Sequence, residues 1–332
     1  MMECVIAYRF GRDDLLRTRF AVSPLFELAA SLRALRDPGG HSVHLPWARE
    51  ARARLAGLDY SLLDALHPSG PYAPDFVAPP PQTPLPVFEE ELARVRATPP
   101  ERARHEVGWT FVGREIPAVA RPLLDDPASA LPGLVDLMAV YWARALAPFW
   151  DLIRAVLEAD IRQRARHLAG GGALELFAGL HPDVRWHDGA LLVDRRHEAA
   201  VELAGRGLQL VPAVFGWPEV GAMFDPPWQP ALIYPPRGVG DLWAPARESS
   251  EALGELVGRR RASILVALGA EATTTELSRR LSASPAGVSE HLGVLRRAGL
   301  VRARREGRAV LYSRTAAGDV LTAPASSPGS PS

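Results

Sequence analysis

Lysine is absent from the 332-residue sequence, and cysteine occurs once, as Cys4. A single thiol can form neither a disulfide within the chain nor a zinc site built from cysteines alone. It also fits a protein that resides in a reducing compartment. All 38 strongly basic residues are therefore arginine, a bias that GC-rich codons explain and to which we give no mechanistic weight.

Long apolar runs are also missing from the sequence. Arg9 and Arg12 interrupt the first residues before a signal peptide could form. The most apolar stretch, Leu131–Trp150, contains Arg144 and is broken by Pro148, which makes it a poor membrane span. We therefore expect a soluble, cytoplasmic protein with no membrane partner.

Charge is distributed unevenly, although the formal net charge is zero. Residues 247–322 contain 13 arginines and 8 acidic residues, a net charge of +5, and the remainder of the chain carries −5. Such asymmetry is typical of a polyanion-binding segment joined to an acidic body, and charge runs also occur on ordinary solvated surfaces. The C-terminal quarter is thus the first candidate for nucleic-acid binding.

The first 245 residues predict a mixed domain of helices and a small sheet. A strand is predicted at Glu3–Arg9, and Ser23-Pro24 is typical of a helix start. Residues 131–168 predict two long helices that meet at Pro148. Between residues 181 and 243, short apolar runs alternate with proline and glycine turns, which favours the sheet.

Four segments predict irregular structure. The proline-rich stretch Pro68–Pro86 indicates an extended surface loop, and Gly170–Gly172 indicates the end of the second long helix. Gly238–Pro245 is typical of a linker between domains. Pro324–Ser332 is rich in proline, serine and glycine and predicts a disordered tail.

Aromatic residues cluster on the two long helices, at Tyr141, Trp142, Phe149 and Trp150. They can pack a core or line a ligand pocket, and the sequence leaves both alternatives open. The same helices offer much apolar surface, so we expect this body to hold a homodimer together.

Three short helical patterns follow in the C-terminal segment. Residues 251–268 carry an apolar face that Arg259–Arg261 interrupts, which indicates a break between two helices. Thr273 and Glu276 have the spacing of a capping box and begin the next helix. After a turn, Ser284 is placed to cap a further helix.

That last helix predicts a buried stripe at Val288, Leu292 and Leu295, and it ends at Gly299. Two strands, Leu300–Arg305 and Arg308–Arg314, then form a hairpin. Their connection, Glu306-Gly307, is a plausible two-residue turn. Helix, turn, helix and basic hairpin suit DNA recognition, because the second helix can enter the major groove while arginines neutralise phosphates.

Specific residues in this segment resemble the ArsR/SmtB-type winged-helix regulators. The resemblance rests on Ser284–Leu292, Leu295, Ala298–Val301 and Arg305–Arg308 and covers the last quarter of the chain. Residues 14–35 are similar to the start of an uncharacterised domain that precedes such winged helices in actinobacterial regulators. The resemblance implies a regulator that binds duplex DNA.

Three departures from that family limit what the resemblance implies. Pro285 and Glu290 stand where many relatives have glutamine and histidine, so the DNA sequence that is read does not carry over. Thr273 and Thr275 replace the family's metal-binding cysteine pair, so we expect no metal-dependent release from DNA. The final helix, Ala316–Leu321, is short for a helix that usually pairs the subunits.

These observations predict an α+β fold, mostly α. A mixed helical and small-sheet regulatory or dimerisation domain at 1–245 precedes a winged helix-turn-helix at 246–322 and a disordered tail at 323–332. The recognition helix is expected at 284–298 and the basic wing at 300–314. The residues expected to contact DNA are Ser284, Ala286, Gly287, Ser289, Glu290, His291, Arg296, Arg302, Arg304, Arg305 and Arg308.

The predicted function is a transcriptional regulator, in the first instance a repressor, that binds double-stranded DNA as a homodimer. An unknown small molecule is a possible effector of the N-terminal domain. His41 and His44 could suggest a metal site, but they lie in a loop-like segment where no carboxylate spacing supports one. No nucleophile elbow or phosphate loop is present either, so we expect no metal, cofactor or catalytic residues. The alternatives are a protein-interaction scaffold, or an N-terminal enzyme domain tethered to DNA by the winged helix.

Overall fold

A computed structural model of the chain describes residues 5–68, 72–195, 198–243, 253–269, 271–281, 283–306 and 309–322. These residues form two compact units, which divide between Trp243 and Ala244. The fold is α+β and mostly α, as predicted. Cys4, the segment 244–252 and the predicted tail lie outside the described residues.

Helices make up most of the N-terminal unit. The second of them begins after Ser23, whose Oγ accepts the backbone N–H of Phe26 at 3.1 Å, so the predicted cap is confirmed. The helices in chain order are α1 (Asp14–Arg17), α2 (Pro24–Arg36), α3 (Leu45–Arg54), α4 (Ser61–Leu66), α5 (Phe88–Arg96), α6 (Pro100–Thr110), α7 (Arg121–Asp125), α8 (Pro127–Ala145) and α9 (Trp150–Phe177).

The sheet content of this unit exceeds the single small sheet that the sequence predicted. The strands are β1 (Val5–Arg9), β2 (Arg19–Phe20), β3 (Val184–His187), β4 (Ala190–Asp194), β5 (Ala199–Glu202), β6 (Gln209–Pro212), β7 (Gly221–Met223) and β8 (Ala231–Tyr234). They form two four-stranded sheets, in the orders β3-β4-β1-β5 and β2-β6-β8-β7. In each sheet a strand from the N-terminus pairs with strands about 190 residues later, which local patterns could not reveal.

Buried polar groups connect the elements of the N-terminal unit. The hydroxyl of Tyr8 in β1 lies 3.0 Å from the carbonyl oxygen of Ala231 in β8, which links the two sheets. Asp14 in α1 is fully buried and accepts the backbone N–H groups of Gly11 and Gly207 at 2.7 and 2.8 Å. These bonds hold the N-terminal segment against the distant strands.

The aromatic cluster of the long helices packs the chain's own core. Tyr141 is buried and its hydroxyl lies 2.9 Å from Ser31 Oγ, while Trp142 stacks on Phe88 with ring centroids 4.5 Å apart. The core alternative is therefore confirmed for these two residues. The surface of these two residues is already buried within one chain and is not available to a partner, whereas the expectation that the N-terminal body holds a homodimer together stays a prediction.

The structure contradicts two of the predictions about irregular segments. The proline-rich loop is not a surface loop throughout, because Phe76 and Val77 are fully buried and the Pro81 carbonyl accepts from the Gln209 side chain at 2.8 Å. The predicted end of the long helix at the glycine run is confirmed, because Gly172 has a non-helical φ of 72°, and a second helical segment then continues α9 to Phe177. The linker prediction fails for residues 239–243, whose apolar side chains join the core.

Among the described residues, no single helix is long and apolar enough to cross a membrane. Only α8 taken together with residues 147–177, bent by 42° at the break, meets the requirement of length and composition. Within the same described ranges, no group of three histidine, cysteine, aspartate or glutamate side chains could hold a metal ion.

Glu27 in α2 is a buried carboxylate at the centre of the unit. It accepts the backbone N–H groups of Val214 and Phe215 at 2.6 and 3.0 Å. Burial nevertheless raises the pKa of Glu27 to about 7, because the two hydrogen bonds only partly offset the loss of solvation. In the same way burial raises the pKa of Glu91 to about 7 and that of Asp75 to about 8.

We expect the free energy of unfolding to fall as pH rises from about 6.5 to about 8. The raised pKa values mean that the folded chain holds protons which the unfolded chain has released, so this stability is lost as pH passes the folded pKa. Burial lowers the pKa of His44 and His67 to about 4 in the folded chain, and their opposite contribution to the slope fades as pH rises above the unfolded value of 6.5.

Thermal unfolding across this pH window checks the prediction. Glu27→Gln should flatten the slope, because the amide does not titrate, and the exposed Glu89→Gln should leave the slope as it is in the parent chain. Equal slopes in the parent and in Glu27→Gln would show that Glu27 does not titrate in this range.

The C-terminal unit begins with a helical segment, α10 (253–257), which Gly258 separates from the next helix. The predicted break is thus confirmed, one residue before the arginine run. The remaining elements are α11 (Arg259–Ala267), β9 (Ala272–Thr273), α12 (Thr274–Arg280), α13 (Pro285–Arg297), β10 (Val301–Glu306), β11 (Ala309–Arg314) and α14 (Ala316–Thr322). The three strands form one antiparallel sheet in the order β10-β11-β9.

Candidate nucleic-acid interface

The helix–turn–helix consists of α12 and α13, which share one small core. Leu277 of α12 is fully buried together with Val288, Leu292 and Leu295 of α13, the predicted stripe. Burial of the three α13 side chains on one side of the helix leaves its opposite side outside the core. The helical spacing of apolar residues in the sequence therefore predicted the position of this helix correctly, from its first residue to its last turn.

Local capping bonds determine where α12 starts. The Glu276 carboxylate accepts from both the backbone N–H and the hydroxyl of Thr273, at 2.7 and 2.9 Å. In return the Thr273 hydroxyl accepts the backbone N–H of Glu276 at 3.3 Å. The predicted capping box is confirmed.

The exposed side of α13 carries mostly small side chains. Ala286, Ser289 and Glu290 are exposed, while Gly287 and His291 are partly buried. Ser284 is exposed as well, but its Oγ accepts the backbone N–H of Gly287 at 3.2 Å and so caps the helix. A backbone with such small side chains can approach a flat or grooved partner closely.

The last turn of α13 adds positive charge to the same element. Arg296 and Arg297 are both exposed there. The chain then turns at Gly299, whose φ of 72° lies in the left-handed region that glycine adopts without strain. The Leu300 N–H bonds to the Leu295 carbonyl at 2.9 Å, so the helix ends where the sequence predicted.

The hairpin arginines lie on two different sides of strand β10. Side chains alternate along a strand, so Arg302 and Arg304 project from one side and Arg305 from the other. Val301, on the side of Arg305, is buried with Leu292 and Leu295 of α13. Arg305 therefore belongs to the side of the hairpin that packs on the recognition helix.

Arg302 and Arg304 both have protein partners in this unit. Arg302 donates from Nε to Ser313 Oγ at 3.0 Å, and Arg304 lies 3.1 Å from a carboxylate oxygen of Glu271. Sequence reasoning missed Glu271, because it precedes Arg304 by 33 residues and shares no motif with it. Arg308 and the turn residue Gly307 lie outside the described residues.

Two families match separate parts of the chain. Residues 260–304 match a helix-turn-helix domain, of the ArsR type, which covers α11 to β10. Residues 87–239 match a family of unknown function (DUF5937), which covers α5 to β8. Neither a curated protein nor a solved structure matches the chain. The two matches correspond to the two resemblances that the sequence indicated.

Proposed function

We propose that this chain, a DNA-binding regulator with an ArsR-type helix-turn-helix behind a domain of an uncharacterised family, represses transcription by binding an operator as a homodimer. The observation that carries the proposal is the exposed side of α13, where Ala286, Ser289 and Glu290 leave room for base edges. The N-terminal unit would sense a small molecule instead of catalysing a reaction.

Major-groove recognition requires a helix that can approach the bases while flanking groups fix its position on the phosphates. Ser289 can donate to or accept from either kind of base, and Glu290 can accept from cytosine N4. The arginines at the end of α13 and on the hairpin would supply the phosphate contacts. A dimer would place two copies of α13 in half-sites about one DNA turn apart.

Selection of bound fragments from the genomic DNA of the source organism tests the proposal, followed by footprinting of the enriched site. We expect a protected region with approximate two-fold symmetry. Binding of random and selected duplexes with equal affinity at physiological salt would contradict sequence-specific regulation, and binding of neither would contradict DNA binding altogether.

Arg305→Ala should weaken binding to every duplex alike and reduce the salt dependence of binding by a slope of about 1, the value for one lost phosphate contact. Arg305 is exposed and on the hairpin side that packs on α13, so in the proposed complex it would face the phosphates beside the groove. Fluorescence anisotropy at several salt concentrations measures the slope.

Arg304→Ala is the matched control for this prediction. It removes the same charge from the other side of the same strand, the side that does not pack on α13. We expect a smaller change in slope. If Arg304→Ala changes the slope as much as Arg305→Ala, both sides of the hairpin contact DNA.

The dimer interface, we further propose, uses the terminal helices α10 and α14. Leu256 and Val320 are 69% and 74% exposed there, while Tyr141 and Trp142 of the N-terminal unit are buried in their own core. Leu256→Glu combined with Val320→Glu should yield monomers in light scattering and weaken operator binding.

The matched control changes exposed apolar residues of the N-terminal unit, Trp109→Ser with Val112→Ser. This variant should remain dimeric. If it dissociates while the Leu256 and Val320 variant stays dimeric, the N-terminal unit holds the dimer together, as the sequence first suggested.

A further inference from the structure

A cavity of about 620 Å³ opens in the N-terminal unit, where the end of α9 meets the turns after β6 and β8. Its volume lies in the range of small-molecule sites. Much of its wall is apolar and stiff, since it includes Trp217 and several prolines, among them Pro218, Pro235 and Pro236. Such a wall changes little on binding, which reduces the entropic cost of holding a ligand.

One wall of this cavity contains a buried guanidinium group. Arg164 of α9 is only 3% exposed, and its Nε donates to Asp160 Oδ2 at 2.8 Å. The guanidinium carbon also lies 4.7 Å from the ring centroid of Tyr234. The group is thus fixed in orientation, and its Nη atoms carry four further N–H donors.

Asp160 does not line the cavity, but it holds groups of the cavity wall in place through hydrogen bonds. Besides Arg164 it accepts the Tyr234 hydroxyl at 2.9 Å and the backbone N–H of Arg237 at 3.1 Å. The Arg237 segment is therefore tied to the same carboxylate, and Arg237 is one of the residues that line the cavity. Asp160 balances one of the two arginines, so the cavity wall carries an excess of one positive charge.

The third polar side chain of the cavity wall, His181, already has hydrogen-bond partners within the protein. His181 Nδ1 accepts the backbone N–H of Asp183 at 3.1 Å, so its Nε2 carries the proton and donates to the Pro218 carbonyl at 2.8 Å. The ring therefore connects the segment of His181 and Asp183 with the segment of Pro218. Recognition of a ligand's charge consequently falls to Arg164 and Arg237.

We propose that this cavity binds a small monocarboxylate with an aromatic or other flat apolar body, and that this ligand is the effector of the regulator. The carboxylate would lie between the two guanidinium groups, which bind carboxylates with two parallel hydrogen bonds. The apolar body would pack on Trp217 and the prolines. The effector role, but not the binding, rests on the function proposed above.

Trp217 also connects the cavity with the end of the N-terminal unit. Its ring centroid lies 6.4 Å from that of the buried His44, and His44 Nδ1 accepts the indole N–H of Trp243 at 3.0 Å. Trp243 is the last residue of the unit before the chain continues toward the helix-turn-helix. A ligand that packs on Trp217 would therefore contact the aromatic group that holds Trp243, where the chain leaves the N-terminal unit.

The probe for the test is 1-naphthoate, with the uncharged 1-naphthamide as its control, titrated into the full chain by calorimetry. We expect one 1-naphthoate per chain and roughly tenfold weaker binding of the amide, the ratio that corresponds to one lost charge-assisted contact. Arg237→Gln should remove this preference, while Arg121→Gln, an exposed arginine outside the cavity, should retain it.

Each result decides one part of the proposal. No binding of 1-naphthoate at millimolar concentration, or equal binding of acid and amide, overturns the site. Binding without any change in the affinity for the selected operator overturns the effector role. A chain that binds 1-naphthoate with the expected preference but binds no DNA leaves the site intact and contradicts the proposed function instead.

Discussion

Asp160→Ala is expected to lower the free energy of unfolding by about 3–5 kcal/mol, the range for breaking a buried ion pair. The substitution leaves the Arg164 guanidinium buried without its counter-ion, and it removes the acceptor of the Tyr234 hydroxyl and of the Arg237 N–H. All three groups lie on different elements, so the loss affects the packing of α9 on β8. Chemical denaturation of the full chain measures the change.

Glu158→Ala on the same helix is the matched control. Glu158 also pairs with arginines at helical spacing, Arg154 and Arg162, but at 3.7 and 3.6 Å and with a third of its side chain exposed. Exposed pairs of this kind contribute about 1 kcal/mol at most. If Asp160→Ala costs no more than Glu158→Ala, the buried pair is not a determinant of stability.

The contrast between these two pairs explains why the sequence did not reveal the buried one. Both have charges four residues apart on a helix, and such a pattern usually indicates a solvated face. Burial of Asp160 and Arg164 is set by Tyr234, 74 residues further along the chain. Only the tertiary structure distinguishes them.

Elements whose signals are local were predicted well. Ser23, the Thr273–Glu276 pair and Ser284 all cap the helices that the sequence assigned to them, because a capping bond spans only three residues. The stripe of α13 follows from the helical period alone. For the same reason the sequence was sufficient to assign the exposed side of the recognition helix.

Elements that depend on distant pairing were predicted poorly. Strand β1 pairs with β4 and β5, so two sheets form where one was expected. The proline-rich loop is buried because the Gln209 side chain of β6 bonds to its backbone. From the sequence we treated the hairpin arginines as one group. Their different sides of the strand, and the pairing of Arg304 with Glu271, depend on the fold.

Ser289→Asp is expected to weaken operator binding by about a hundredfold or more, because it places a carboxylate in a groove lined by phosphates. Ser289 is exposed at the centre of α13, between Ala286 and the last turn with Arg296. The side chain changes little in size and none of its bonds supports the core, so the unit should remain folded.

Val266→Asp provides the matched control, since it adds the same charge at an exposed helical position of the same unit, on α11. We expect it to weaken binding only slightly, because charges farther from the phosphates are screened by salt. Anisotropy measures both affinities, and circular dichroism verifies that both variants are folded. If the two variants lose affinity equally, only the net charge of the unit matters for binding, and α13 does not enter the groove.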